Sequence, residues 1–226
     1  MIDIALNIVK LKEQLPPSVK VVAVSKTKPV SDIRIAYDAG QRIFGENRVQ
    51  ELLAKKDLLP SDIEWHLIGH LQSNKVKTII SFISMIQSVD SPRLLLIINN
   101  EAEKASRKVD CLLQIYIAKE ETKFGFDLEE VTLMLESGYF KSLRNVNICG
   151  VMGMATFTGK MDIVRQEFRL LKNFFDTLKE KYFKTTDHFK EISMGMSGDY
   201  ITGIEEGSTM VRIGSLIFGE RKKELQ

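Results

Sequence analysis

The chain has 226 residues, 44% of them hydrophobic and 27% charged, which is the profile of an ordinary globular protein with core enough for one large domain or two small ones. Lys and Arg number 32 against 30 Asp and Glu, and a net charge of +2 argues against nucleic acid or an anionic membrane as partner. Both cysteines, Cys111 and Cys149, sit in apolar strand-like text, so buried thiols are expected and a disulfide framework is not.

The opening Met-Ile-Asp-Ile lacks the basic head and cleavage site of a signal peptide. The most apolar region, 78–99, is interrupted by Ser88, Asp90, Pro92 and Arg93, whereas a membrane span needs about 20 mostly apolar residues. A cytoplasmic protein is expected. Ile2, Ala5, Ile8, Val9, Lys12 and Leu15 fall on one stripe of a leading helix that stops at Pro16-Pro17. Residues 19–25 read as the first strand. Ser31-Asp32 offers an N-cap for a helix carrying Ile33, Ala36 and Tyr37, and Gly40 stops it. Strands follow at 42–45, 63–68 and Met85–Val89, with helices at 49–57 (Leu52 and Leu53 inward) and 74–80 between them. Ser91 caps a helix running to about Lys108, 111–117 is a fifth strand, and a helix over 127–137 ends at Gly138. After a sixth strand at 146–152, Val164, Phe168, Leu171, Phe175, Leu178 and Tyr182 alternate at spacings of four and three and form one continuous apolar face. Ile192-Ser193 reads as a very short seventh strand, 199–206 as a helix and 209–213 as an eighth strand.

Strand and helix thus alternate about eight times without a linker, which implies parallel strands with crossover helices. The expected fold is an α/β (β/α)8 TIM barrel with an extra N-terminal helix, one domain over residues 1–226. An open doubly wound sheet would want a glycine-rich loop after its first strand, and Ser25-Lys26-Thr27-Lys28 has no glycine.

The chemistry begins at Lys26. A lysine at the C-terminal end of a buried strand is walled by apolar residues on one side, and desolvation can make its amine a nucleophile able to form a Schiff base with an aldehyde. The alternative is a solvated lysine in a strand-end loop. Glycines cluster late, in Met194-Gly195-Met196-Ser197-Gly198-Asp199 and Arg212-Ile213-Gly214-Ser215. Barrels of this kind often build a phosphate site from the loops after strands seven and eight, and Ser197, Gly198, Gly214 and Ser215 are the natural donors. Tight turns with a serine cap are the plainer reading. In a closed barrel the eighth strand pairs with the first, which puts Lys26 at the same rim. A phosphate clamp beside such a lysine suits a phosphorylated aldehyde, and pyridoxal 5'-phosphate is the commonest such cofactor. Arg212, if it points inward, needs a partner such as a pyridine nitrogen, which it would hold unprotonated because it can only donate. An outward Arg212 fits the alternation equally. Asn47 either faces this rim or caps the next helix, and Glu46 could pair with a nearby lysine. His66 and His70 have metal-ligand spacing only on a helix, and Trp65-His66-Leu67-Ile68-Gly69-His70 reads as strand into turn, so no metal is expected. Glu120 and Glu121, in the charged loop 119–123, look solvated, and Phe124 and Phe126 look like core plugs.

Taken together, Ala23-Val24-Ser25-Lys26-Thr27-Lys28-Pro29, Phe44-Gly45-Glu46-Asn47, Trp65-His66-Leu67-Ile68-Gly69-His70-Leu71-Gln72, Ser193-Met194-Gly195-Met196-Ser197 and Val211-Arg212-Ile213-Gly214-Ser215 resemble the pyridoxal phosphate homeostasis protein family. The set spans nearly the whole chain in order. The resemblance implies a barrel like the N-terminal domain of alanine racemase, pyridoxal phosphate carried on Lys26, phosphate contacts from Ser197, Gly214 and Ser215, and Arg212 on the pyridine side. It also implies a part in vitamin B6 homeostasis without a catalytic activity. Arg48 stands where many members have tyrosine.

An amino-acid racemase is the competing reading. Racemisation needs an acid–base group on each face of the substrate. In the resembling racemase one is a tyrosine from a second domain, for which the text after Gly219-Glu220-Arg221 leaves no room. Of the five tyrosines only Tyr200 follows a rim motif, and it reads as the first turn of a helix. A Schiff-base aldolase is more distant. The expectation is a cofactor-holding protein, not an enzyme, a monomer, with apo-enzymes that use pyridoxal phosphate as potential partners.

Overall fold

The computed structural model describes residues 2–118 and 125–220; Lys119, Glu120, Glu121 and Phe124 lie outside the described residues. Eight strands form a closed barrel in sequence order: β1 (Lys20–Val24), β2 (Ile43–Glu46), β3 (Glu64–Leu67), β4 (Met85–Val89), β5 (Val109–Ile115), β6 (Val146–Gly153), β7 (Glu191–Met196) and β8 (Met210–Ile213). Every neighbouring pair is parallel. Closure is made by β8 on β1, with Val22 opposite Arg212 and Ala23 opposite Ile213.

The helices are α1 (Ile4–Gln14), α2 (Val30–Asp38), α3 (Val49–Lys56), α4 (Val76–Ile79), α5 (Pro92–Lys104), α6 (Leu128–Glu136), α7 (Met161–Tyr182), α8 (Tyr200–Glu205) and α9 (Ser215–Phe218). Among the described residues no helix is long and apolar enough to cross a membrane. The strands are buried on both faces, which is why they read as apolar runs. Alternate residues feed two cores. Val22, Val24, Met85, Leu112, Cys149, Met152 and Met210 fill the lumen, while Ala23, Phe44, Leu67, Val211 and Ile213 meet the helices. Both cysteines are buried free thiols.

The α7 face is as predicted, with Val164, Phe168, Leu171, Phe175 and Leu178 buried. Ser91 caps α5 by accepting the Leu94 amide, and Asp127 and Glu130 close a capping box on α6. Phe126 is fully buried.

Four expectations change. The inner face of α1 is Ile4, Ile8 and Leu11, while Ile2 and Val9 are exposed, because the helix starts only after its Asp3 cap. The N-cap of α2 is Pro29, and Ser31 and Asp32 fall inside the first turn. The seventh strand is six residues long and runs through the glycine-rich text, with Gly195 at φ +96° where its pairing with β8 shifts register. A short helix, α9, follows β8, where no element was assigned from the sequence.

Candidate functional site

The side of the barrel at the strands' C-terminal ends holds a cavity of about 370 Å³. Lys26, Asn47, Ser197, Gly198, Arg212, Gly214 and Ser215 all line it, so the fold brings the residues expected to hold the cofactor to one place. Lys28, Asp199 and the apolar Val24, Ile68, Met154 and Phe157 also contribute to its wall.

Lys26 is half-buried in a tight turn just beyond β1. The Lys28 amide donates to the Ser25 carbonyl at 3.0 Å, and Thr27 takes φ +64°. A β-branched residue adopts that conformation only when its surroundings demand it. The Thr27 amide donates to Glu51 Oε2 at 2.6 Å. Behind the turn, Lys55 Nζ donates to the Ser25 carbonyl (2.9 Å), Glu46 Oε1 (2.8 Å) and Glu51 Oε2 (3.2 Å), and Ser25 Oγ donates to Glu46 Oε1 at 2.6 Å. Glu46 therefore does pair with a lysine. Burial pushes its carboxyl up, against the pull of Lys55 and Ser25. Asn47 lines the cavity and is not a cap: the N-cap of α3 is Arg48, whose side chain makes no cap bond and lies outside the cavity.

Arg212 points into the barrel. Its position alternates with Val211 and Ile213, which face the helices. It is 4% exposed, with Nη1 donating to the Ser193 carbonyl (2.8 Å) and to Ser193 Oγ (2.7 Å), and Nη2 donating to the Gly153 carbonyl (2.9 Å). Burial lowers its pKa to about 10, so it stays a cation at neutral pH.

The two glycine-bearing loops touch, the Gly214 amide donating to Ser197 Oγ at 3.2 Å. At Gly198 an added Cβ would meet no protein atom within 4 Å. Two wall residues were not foreseen. Lys28 Nζ donates to the carbonyls of Phe218 (2.9 Å) and Gly219 (3.1 Å), closing the end of α9. Asp199 Oδ1 accepts the Met196 amide, and burial raises its carboxyl. Both stood within or beside the quoted motifs. Tyr200 begins α8, as expected, and does not line the cavity. His66 is buried inside the barrel, whereas His70 is half-exposed with Nδ1 3.0 Å from Asp90 Oδ2.

The lining sets three basic side chains, Lys26, Lys28 and Arg212, against one carboxylate, Asp199. That balance, with small residues and hydroxyls on one side and an apolar wall on the other, suits a flat, phosphorylated ring compound.

The sequence profile of the alanine racemase N-terminal domain matches residues 2–222. A pyridoxal phosphate homeostasis protein of Aquifex aeolicus is 41% identical over 204 residues, covering 90% of this chain and 87% of the relative. Another, from Synechocystis, is 39% identical, covering 92% and 94%. Among solved structures, PipY of Synechococcus elongatus with PLP bound superposes with a TM-score of 0.86 at 36% identity, covering 96% of this chain and all of that one. An alanine racemase of Clostridium difficile has a TM-score of 0.75 at 14% identity, and covers 98% of this chain but 57% of its own, a likeness of fold alone.

Proposed function

This chain belongs to the pyridoxal phosphate homeostasis protein family, built on the alanine racemase N-terminal domain fold, and from that we propose that it binds pyridoxal 5'-phosphate at the strand-end cavity as a cytoplasmic cofactor-holding protein and not an enzyme. The observation that carries the reading is the convergence of Lys26, Arg212 and the two glycine-bearing loops on one cavity. When bound, the cofactor would supply an aldehyde, and Lys26 is the residue whose amine would hold it as a Schiff base, with loss of water. Ser197, Gly198, Gly214 and Ser215 are the proposed phosphate side, Arg212 and Asn47 the ring side. Arg212 can only donate, so it would hold a pyridine nitrogen unprotonated and make the ring a weak electron sink.

The non-catalytic reading draws support from the wall's other ionisable groups, each already committed: Lys28 to α9 carbonyls, Asp199 to the Met196 amide, Arg212 to Ser193 and Gly153. We take the protein to be a monomer in one domain, with apo-enzymes that use the same cofactor as potential recipients.

The test is the absorption spectrum of the protein mixed with pyridoxal phosphate. A yellow band that borohydride abolishes and Lys26→Ala removes is expected, and Arg212→Glu should shift it. A protein that gains no band would end the cofactor reading. Racemisation of alanine at about 1 per second or faster would overturn the non-enzyme reading.

A further inference from the structure

The barrel lumen carries a polar chain where a barrel ordinarily stacks apolar layers. Arg212, Ser193, Gln87 and His66 are each at most 4% exposed, and they come from β8, β7, β4 and β3. Since β7 and β4 are not neighbours in the sheet, the Ser193–Gln87 bond crosses the lumen. With the Gln87 amide oxygen turned toward Ser193, the chain runs in one direction. Arg212 can only donate, so Ser193 Oγ accepts from it at 2.7 Å. The Ser193 hydroxyl hydrogen then goes to Gln87 Oε1 at 2.7 Å. That fixes the Gln87 amide, whose Nε2 faces Met210 Sδ (3.1 Å) and His66 Nδ1 (2.9 Å). His66 Nδ1 must accept, which leaves its proton on Nε2. At the far end His66 lines a second cavity, at the strands' N-terminal ends, with Lys20, Glu64 and Asp110.

We propose that Ser193, Gln87 and His66 are positioning residues, a one-way hydrogen-bond relay that aims the Arg212 guanidinium at the strand-end cavity and ties the opposite mouth of the barrel to it. None of the three lines the upper cavity, so they act through Arg212. Buried polar groups are costly unless every hydrogen and lone pair is used, and here a break at any link leaves a neighbour unsatisfied. Gln87→Glu reverses the logic. A carboxylate has no N–H to give, so His66 must carry a proton on Nδ1.

The bearing of the relay on ligand affinity rests on the pyridoxal phosphate reading, and its direction does not. Imidazole nitrogen NMR of the unliganded protein should find His66 as a single neutral Nε2–H tautomer, converted in Gln87→Glu to a form protonated on Nδ1. A wild-type Nδ1–H tautomer would overturn the relay even if no cofactor bound. Titrated with pyridoxal phosphate, Ser193→Ala should bind roughly ten-fold more weakly, the worth of one hydrogen bond to a charged group, and His66→Leu, which acts through Gln87, should weaken binding in the same direction. Ser193→Ala removes a single oxygen and guards against misfolding of the larger change. Both variants binding as wild type, with an unshifted band, would sink the coupling. Failure of the wild type to bind would instead count against the cofactor reading and leave the tautomer result to decide the relay.

Discussion

At the residue scale, the Lys26 turn is held from behind. Thr27 has a backbone conformation that costs of order 1–3 kcal/mol for a non-glycine residue. It persists because Glu51 takes its amide and Lys55 takes the Ser25 carbonyl on the other side of Lys26. Lys55 is 7% exposed and Glu46 is fully buried, so each charge depends on the other. Lys55→Met keeps the volume but strands the Glu46 carboxyl, and we expect it to destabilise by about 3 kcal/mol in urea unfolding. Adding Glu46→Gln to that variant removes the stranded charge and should recover much of the loss. If the double variant is no more stable than the single one, the ion pair is not what holds the turn.

At the element scale, β6 and β7 meet at a glycine. Gly150 has φ +152°, and a Cβ there would lie 1.8 Å from the Glu191 carbonyl oxygen. The β5–β6 register also slips beside it, between Cys111 and Leu112. Gly150→Ala should cost roughly 2–4 kcal/mol, since the strands must part, whereas Gly198→Ala, with open space around it, should stay within about 0.5 kcal/mol. Thermal unfolding of the two separates them, and equal losses would contradict the geometry.

The same elements mark what the sequence could tell. Alternating apolar runs and a 3.6-residue stripe made the barrel legible, because parallel strands buried on both faces leave little else to write there. Rim residues were legible because strand ends with Gly, Ser and Lys are unusual text. The second layer was not. Lys55 is one of two adjacent lysines at the end of α3, and nothing local marks it as the buried one. Gln87 lies inside an apolar strand and Ser193 opens a glycine-rich motif, so neither stands out, although Gln87-Ser88 within Met85–Val89 is a usable signal of polar groups turned into a core. His66 reads as a strand residue with no stated partner. Contacts across a lumen join residues far apart in sequence, and no local period records them.

At the scale of the whole molecule, the buried ionisable groups set how the barrel responds to acid. His66 is the strongest case: burial, aided by Lys20, lowers its pKa from 6.5 to about 3. Between those values an unfolded chain binds a proton that the folded chain refuses, so stability is full above about pH 6.5 and falls as pH drops toward 3. From pH 6.5 to 5 that loss is about 2 kcal/mol, at 1.36 kcal/mol per pH unit. Glu46 and Asp199 act in the opposite sense. Burial raises both, so the folded protein takes their protons more readily than the unfolded chain, and neither drives acid unfolding. His66→Gln offers the separation, since a glutamine oxygen can still accept from Gln87 Nε2 but does not titrate. Urea unfolding at pH 6.5 and pH 5 should show the wild type losing about 2 kcal/mol more than His66→Gln over that interval. Equal losses would mean that His66 takes a proton in the folded barrel as readily as in the unfolded chain, which the amide of Gln87 facing its Nδ1 does not permit.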